Sequence, residues 1–301
     1  MIMTPTVLVV GAGGSQPYGY PLGRELVDKI VKDAGNPNSE LCKVLGQLSI
    51  PEIYPKALSK ELRISGRQSI DAFLESRTDL LTVGRIAIAT ELLGYENPEK
   101  IYQTNDWYQY LFNRMCDPHH FGSFGRSMVS IVTFNYDRSL EFCLFSALRK
   151  SYQKLREECV TAFNFIQIIH VHGQIGRSPT DEDNWQYGAA KTAEVIRHSS
   201  EQIKIIHEAD DDTPEFISAR GLLDAAKVIC FLGFGYHSTN LRRLLKGIDD
   251  LSGKIVWCCG YGMTDAEKKP VEKHFPLTAV RWGKRDEECL AFLRESGALL
   301  R

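Results

Sequence analysis

Six short apolar runs recur along the 301-residue chain. They are Thr6–Val10, Met128–Phe134, Phe165–Val171, Lys227–Leu232, Lys254–Cys259 and Leu277–Trp282. Most are apolar at nearly every position and contain β-branched residues, which is typical of strands covered on both faces of a parallel sheet. Amphipathic helical patterns separate the later runs. This alternation predicts an α/β fold with a Rossmann-like, doubly wound parallel sheet of about six strands.

Two segments interrupt the alternation of strand and helix. Residues 36–127 contain no convincing strand and carry helical patterns instead, such as Ser69–Leu93, whose first residue is a plausible N-cap. Residues 174–221 are polar, and we interpret their acidic clusters, 181–183 and 210–212, as solvated loops or helix ends. The predicted units are a core of residues 1–35, 128–173 and 222–301, a helical insertion subdomain of residues 36–127, and a polar second insertion of residues 174–221.

Composition narrows the class of protein. The formal net charge is −2, so we predict neither direct nucleic-acid binding nor attraction to anionic lipid. No apolar stretch approaches the ~18 residues that a membrane helix needs. The eight cysteines include no CxxC pair, and no basic segment typical of a signal peptide precedes the first run. We therefore expect reduced, mostly buried thiols in a cytoplasmic protein.

A glycine-rich segment, GAGGSQPYGYPLGREL (residues 11–26), follows the first predicted strand. Such a turn between a strand and a helix lets backbone amides approach a phosphate. No Gly-Lys pair of a Walker sequence is present, and the GxGxxG fingerprint fails because Gln16 occupies its last glycine position. The segment by itself leaves two interpretations open, a phosphate-binding loop and a tight turn.

The second predicted strand ends in TFNYD, residues 133–137. If the chain stays extended there, Asn135 and Asp137 point the same way and can face a substrate. Asn and Asp also close turns at strand ends, so the motif alone has a purely structural alternative.

The third predicted strand ends in HVHG, residues 170–173. His170 and His172 would share one face of the strand, but two ligands are too few for a metal site. Gly173 is expected to end the strand and to leave open space beside His172. A base that faces a substrate needs such space.

The fourth predicted strand leads into FLGFGYHSTNLRRLL, residues 231–245, where Gly233 and Gly235 open the backbone. Of Arg242 and Arg243, at least one is expected to face water. Because the carboxyl ends of parallel strands meet at one edge of a sheet, the four motifs should converge on one pocket.

Taken in order, the four motifs resemble those of sirtuin-like proteins of the bacterial antiphage-defence type. The resemblance covers the core strands and implies a pocket for NAD+. The implied residues are Gly11, Ala12, Gly13 and Ser15 for the phosphates and ribose of NAD+; Asn135, Asp137 and His172 for the nicotinamide-ribose pocket and catalysis; and Gly233, Gly235 and Asn240 for the adenosine side.

Two departures bear on the activity that the resemblance implies. Sirtuin deacylases carry a zinc ribbon built from two CxxC pairs, which this chain lacks, so we expect no zinc. Pro21–Leu22–Gly23–Arg24 stands where they have a proline–aspartate–phenylalanine–arginine run. We therefore expect NAD+ glycohydrolysis, with NAD+ as the substrate and nicotinamide and ADP-ribose as products.

Three alternatives remain: an NAD-dependent protein deacylase, a non-catalytic sensor of NAD+ or an ADP-ribose derivative, and a metal-dependent hydrolase. A free NADase would harm its own cell. We therefore expect the activity to be gated, by assembly into a homo-oligomer or by a defence-system partner such as an ATPase. Residues 36–127 are the expected place for such contacts.

Overall fold

The computed structural model describes residues 1–102, 106–181, 186–205, 211–275 and 277–300. Its centre is a six-stranded sheet in which every neighbouring pair of strands is parallel. The strands are β1 (Thr6–Val10), β2 (Val129–Thr133), β3 (Ile168–His170), β4 (Val228–Leu232), β5 (Ile255–Cys258) and β6 (Val280–Trp282). Each lies inside one of the six apolar runs, so the predicted α/β fold is confirmed.

Helices flank the sheet and fill most of the first interrupting segment, and two further helices, Ala193–Gln202 and Pro214–Ala225, begin in the second. The α-helices are α1 (Ala12–Ser15), α2 (Gly23–Ala34), α3 (Glu40–Gln47), α4 (Ile53–Ser65), α5 (Ile70–Leu74), α6 (Leu81–Leu93), α7 (Pro98–Ile101), α8 (Trp107–Met115), α9 (Ser139–Tyr152), α10 (Arg156–Phe163), α11 (Ala193–Gln202), α12 (Pro214–Ala225), α13 (Ser238–Leu245), α14 (Asp265–Glu272) and α15 (Cys289–Ser296). Short 3-10 helices cover Gln16–Tyr18, Thr78–Leu80 and Phe121–Arg126. Within the described ranges, no helix is both long and apolar enough to span a bilayer.

The helical pattern predicted over 69–93 is broken into two α-helices, α5 and α6, with a 3-10 turn between them. Arg77 donates hydrogen bonds of 2.9 and 2.8 Å to Asp79 in this interruption. Residues two apart do not face each other on a helix, so this contact belongs to a turn. Ser69 occupies the predicted N-cap position, but its hydroxyl donates to Asp71 and accepts no backbone amide.

The strand order is β3-β2-β1-β4-β5-β6. From β1 the chain moves outward through β2 to β3, and it then crosses back to place β4 on the other side of β1. The order therefore reverses between β1 and β4. In open α/β sheets, the crevice at such a switch point, beyond the carboxyl ends of the strands, is where ligands bind.

Apolar side chains cover both faces of the sheet. Leu8 and Val10 of β1 belong to the larger core cluster, whereas Val7 and Val9 belong to a second cluster on the opposite face. All five residues of β1 are buried, because this strand has a paired neighbour on each edge and helices over each face. This double burial explains why the strands are continuous apolar runs without polar alternation.

A buried ion pair joins the three predicted units of the chain. Arg138, which is 1% exposed, donates hydrogen bonds of 2.7 and 3.0 Å to the carboxylate of Glu96. The same carboxylate accepts a hydrogen bond from the Gly188 amide, and Arg138 also donates to the Arg177 carbonyl. Glu96 lies in the first interrupting segment, Arg138 after β2, and Gly188 and Arg177 in the second segment.

We expect Glu96→Ala to lower the free energy of unfolding by about 3–5 kcal/mol, because it leaves the guanidinium of Arg138 buried without its partner. Urea denaturation of the full chain measures the change. The matched control is Glu52→Ala, which removes an exposed ion pair with Lys56 and should lower the stability far less than Glu96→Ala does. Equal costs for the two variants would contradict the role given to the buried pair.

Candidate functional site

A cleft of about 1090 Å³ opens at the switch point between β1 and β4. Its walls are the turns that follow β1, β4 and β5, one side of α14, and the start of α15. Four of the residues predicted from sequence line it: Ala12, Gly13, Gly233 and Gly235. The charged side chains among its described lining residues are two carboxylates, Glu267 and Glu288, with no Lys or Arg.

The two glycine-rich turns beside the cleft are packed directly against each other. The Gly11 amide donates to the Leu232 carbonyl at 3.0 Å, and the Gly13 amide donates to the Gly233 carbonyl at 2.9 Å. Gly233 has a φ of +55°, and a Cβ there would lie 2.0 Å from the Gly14 nitrogen. Only glycine tolerates this approach and this backbone conformation. The glycines are therefore needed to bring the turns together, whatever the cleft binds.

Asn135 is tied to the turn that follows β1. Its side-chain nitrogen donates to the Gly11 carbonyl at 3.0 Å and to the Ser15 hydroxyl at 2.9 Å. Because a carbonyl oxygen only accepts, these contacts fix which side of the amide faces the turn. Asn135, Gly11 and Ser15 do not line the cleft; they form the layer directly behind it.

Asp137 lies in the same buried layer. Its carboxylate accepts hydrogen bonds from the backbone amide and the hydroxyl of Ser139, which is the turn-closing contact that Asp makes after a strand. Since the Ser139 hydroxyl gives its proton to Asp137, the Tyr108 hydroxyl donates to Ser139, at 2.7 Å. Burial raises the pKa of Asp137, and hydrogen bonds from Ser139 and Ser15 oppose this rise. Asn135 and Asp137 thus converge on Ser15.

His172 lies beside the cleft and is separated from it by aromatic rings. Its imidazole is 5.6 Å from the ring of Phe134, which in turn is 4.9 Å from the ring of Phe234, a lining residue of the cleft. The side chain is 5% exposed, and its Nδ1 has no hydrogen-bond partner among the described residues. Buried nitrogens are rarely left unpaired, so this atom marks a place for a further polar group.

The prediction of open space beside His172 is wrong. β3 ends at His170, earlier than predicted, so Gly173 lies beyond the strand; it has a φ of +73°, and a Cβ on it would lie 2.0 Å from the carbonyl oxygen of Gln202. The Lys204 amide also donates to the His172 carbonyl at 2.7 Å. The second interrupting segment therefore packs against this side of the strand end, and the glycine is required by that contact.

Charged side chains from α5 and α13 surround His172. Burial lowers the pKa of His172, the nearby Asp71 opposes this effect, and Arg243 lowers it further. Tyr136 donates a short hydrogen bond to Asp71, and Arg243 pairs with Glu75 at 2.9 Å. The net effect is a neutral imidazole at neutral pH, which is the form that can accept a proton.

The prediction that at least one of Arg242 and Arg243 faces water is confirmed, because Arg242 is exposed to solvent. Arg243 is fully buried and also pairs with Asp211 at 3.0 Å. Asp211 belongs to the second predicted acidic cluster, and Asp210, Glu182 and Asp183 lie outside the described residues.

Asn240 lies in the first turn of α13, half-buried, and does not line the cleft.

His170 has a different environment from His172. Its Nδ1 is 2.9 Å from the Asn135 carbonyl, to which it must donate, and its Nε2 forms a short hydrogen bond with the Glu141 carboxylate. Although burial lowers the pKa of His170, the Glu141 carboxylate raises it by more, so the net shift is upward. Nδ1 thus holds the backbone carbonyl of Asn135, while Nε2 is held by Glu141. Among the described residues, no three His, Cys, Asp or Glu side chains are grouped to hold a metal ion.

No known family model and no curated protein matches this chain.

Sequence reasoning missed several residues around the site. Asp71 and Glu75 come from the first interrupting segment, and Glu141 lies in the first turn of α9. Tyr136 of TFNYD could have indicated that an acceptor such as Asp71 lies nearby, because a buried phenol needs a hydrogen-bond partner. Cys259 and Cys289 line the cleft, and no motif drew attention to either.

We expect the stabilisation that His170 contributes to decrease as pH rises. The pKa of His170 is raised in the folded protein, so its stabilisation is fully present below the unfolded pKa of about 6.5 and is lost as pH passes the folded pKa. Urea denaturation of wild type and His170→Gln should therefore differ more at pH 6 than at pH 9. Each unit of pKa shift corresponds to about 1.4 kcal/mol of this difference.

The control for this comparison is His237→Gln, which changes an exposed histidine beside the cleft. Its free energy of unfolding should follow that of wild type at both pH values. A gap between wild type and His170→Gln that widens toward pH 9 would contradict the assignment of a charged His170.

Proposed function

We propose that the protein is an NAD+ glycohydrolase that releases nicotinamide and leaves ADP-ribose. The observation that carries this proposal is the junction of β1, β2 and β4. There, one glycine-rich turn both lines a dinucleotide-sized cleft and accepts the side-chain hydrogen bond of Asn135. Any ligand in the cleft near Gly13 would therefore lie against the layer that holds Asn135.

The chemistry places modest demands on the protein. Nicotinamide leaves NAD+ as a neutral base, so its departure needs no general acid, and the sugar passes through an oxocarbenium-like state. Orientation of the ribose, dipoles that face the developing cation, and a positioned water are what accelerate the reaction. Asn135 would orient the ribose or the water through its side-chain oxygen. His172, which is neutral, would accept a proton from the water or a ribose hydroxyl.

The cleft lining supports NAD+ over NADP+ as the ligand. Its charged groups are the carboxylates of Glu267 and Glu288, which can accept hydrogen bonds from ribose hydroxyls. The 2′-phosphate of NADP+ would instead need a nearby cation such as Arg. No Lys or Arg stands among the described lining residues.

A gated activity is part of the proposal. Phe134 and Phe234 lie between His172 and the cleft, and α5 with Asp71 lies near His172 on another side. Movement of these groups would be needed to bring the nicotinamide ribose to the imidazole. The role in antiphage defence and control by a homo-oligomer or a partner such as an ATPase rest on the sequence resemblance, whereas a cytoplasmic location rests on the cysteine usage of the chain.

A second candidate function is an NAD+ or ADP-ribose sensor without catalysis. The specific observation in its favour is that the cleft is open while His172, Asn135 and Asp137 are all buried outside its lining. Such a protein would bind the dinucleotide in the cleft and leave it intact.

Nicotinamide release from NAD+, with no peptide added, tests the catalytic proposal. We expect His172→Ala to lose at least about 10²-fold in rate, the lower range for removal of a general base, while His237→Ala, a change in an exposed loop residue, retains the wild-type rate. Asn135→Ala should also lose activity, with thermal melting used to verify its fold. A wild-type rate in His172→Ala would remove His172 from the mechanism, and thermal stabilisation by NAD+ without release would favour the sensor.

Binding can be tested separately from catalysis at Gly235. This residue lines the cleft, and a Cβ added to it would meet nothing within 4 Å. Gly235→Leu should therefore fold normally but fill part of the cleft, weakening NAD+ binding by at least about tenfold, which corresponds to about 1.4 kcal/mol. Calorimetric titration with NAD+ and NADP+ measures this effect and the expected preference for NAD+.

The matched control is Gly46→Leu on α3, where an added Cβ also meets nothing within 4 Å and which is not part of the cleft lining. It should bind NAD+ as wild type does. Unchanged affinity in Gly235→Leu, with an unchanged melting temperature, would place the NAD+ site elsewhere.

A further inference from the structure

Two cysteines, Cys259 and Cys289, lie in the wall of the cleft. Cys259 lies in the turn after β5, and Cys289 is the first residue of α15. Both line the cleft, although they are 30 residues apart in the chain and only 3% and 7% exposed. Glu287, two residues before Cys289, contacts Cys259 directly. The loops that hold the two cysteines are joined by this contact, in which the Cys259 thiol donates to the Glu287 carbonyl at 3.4 Å.

We propose that Cys259 and Cys289 are a modification site, a thiol pair in the wall of the cleft that a hydroperoxide converts to a disulfide. This inference is independent of NAD+ cleavage, because it requires only the cleft and the pair. Neither cysteine belongs to a CxxC motif, and the pair exists only because β5 and the start of α15 meet at this edge of the sheet.

Cys259 is the attacking thiol. A hydrogen bond from Cys289 and the backbone amides of Tyr261 and Gly233 lower the pKa of Cys259 to about 7, although burial and the Glu287 carboxylate act in the opposite direction. Since the thiolate is the nucleophilic form, a substantial fraction of Cys259 is reactive at neutral pH. The pKa of Cys289 is raised by its hydrogen bond to Cys259, so it remains a thiol and acts as the resolving partner.

The chemistry proceeds in two balanced steps. The Cys259 thiolate attacks the terminal oxygen of the hydroperoxide, the O–O bond breaks, and a sulfenic acid forms while the leaving oxygen takes up a proton. The Cys289 sulfur then attacks the sulfur of Cys259, the S–O bond breaks, and water leaves with the thiol proton. The two thiols together lose two electrons, and the peroxide is reduced.

Cys258 provides an internal control. It is the neighbour of Cys259 in the chain but packs in the cluster on the opposite face of the sheet. It is fully buried, it does not line the cleft, and burial raises its pKa. Cys258 should therefore stay reduced under conditions that oxidise Cys259.

The test is peroxide treatment of the reduced, full-length wild-type chain, followed by alkylation of the remaining thiols and peptide mapping by mass spectrometry. We expect one intramolecular cross-link, between the peptides that carry Cys259 and Cys289, and the same cross-link in Cys258→Ser. In Cys289→Ser, the sulfenic acid on Cys259 should persist and be trapped by dimedone. Because the first result needs no variant, it holds even if a substitution impairs folding.

Two outcomes would overturn the proposal. One is a wild-type protein in which Cys259 and Cys289 remain alkylatable after the half-buried Cys42 and Cys116 have been oxidised. The other is a cross-link from Cys259 to Cys230, which lies in β4. Neither result depends on whether the protein cleaves NAD+, so failure of this inference and failure of the proposed function are distinguishable.

Discussion

The turns that follow β1 and β4 approach each other so closely that no Cβ fits between them at Gly233 or at Gly11. The two turns in contact form part of the wall of the cleft at the switch point of the sheet. Their contact also orients the Gly11 carbonyl toward Asn135, which hydrogen-bonds to it. The position of the cleft and the position of Asn135 are thus consequences of one backbone packing constraint.

Buried charges connect the helical segments to this sheet. Arg138 binds Glu96 beside β2, and Arg243 binds Glu75 and Asp211 beside His172. Removing such charges from water is costly, and well-packed apolar residues would often be at least as stable. What the ion pairs provide is a defined position for each segment, because a misplaced segment would leave a charge buried and unpaired. The same arrangement sets the electrostatic environment of His172.

Burial lowers the pKa of both histidines of HVHG, but their different partners make the net shifts opposite. His170 has a carboxylate on one nitrogen and a backbone carbonyl on the other, so its pKa is raised and it supports the chain at Asn135. His172 has aromatic neighbours, its Nδ1 has no hydrogen-bond partner within the part of the chain that the structure describes, and burial lowers its pKa. The partners of His170 therefore favour its charged form, whereas burial of His172 favours the neutral form that can act as a base.

Local patterns were sufficient to predict the six strands and the placement of each motif at a strand end, because a strand buried on both faces must be apolar throughout. They also predicted that the four motifs would converge at one edge of the sheet, since parallel strands present their carboxyl ends there. They did not predict the strand order, the contact of Gly173 with Gln202, the acids of α5 near His172, or the meeting of Cys259 and Cys289. Those contacts join residues far apart in the chain, and no local periodicity records them. Only the tertiary structure, through the order of the strands and the packing of the two interrupting segments, decided which side chains share the cleft and which are buried behind it.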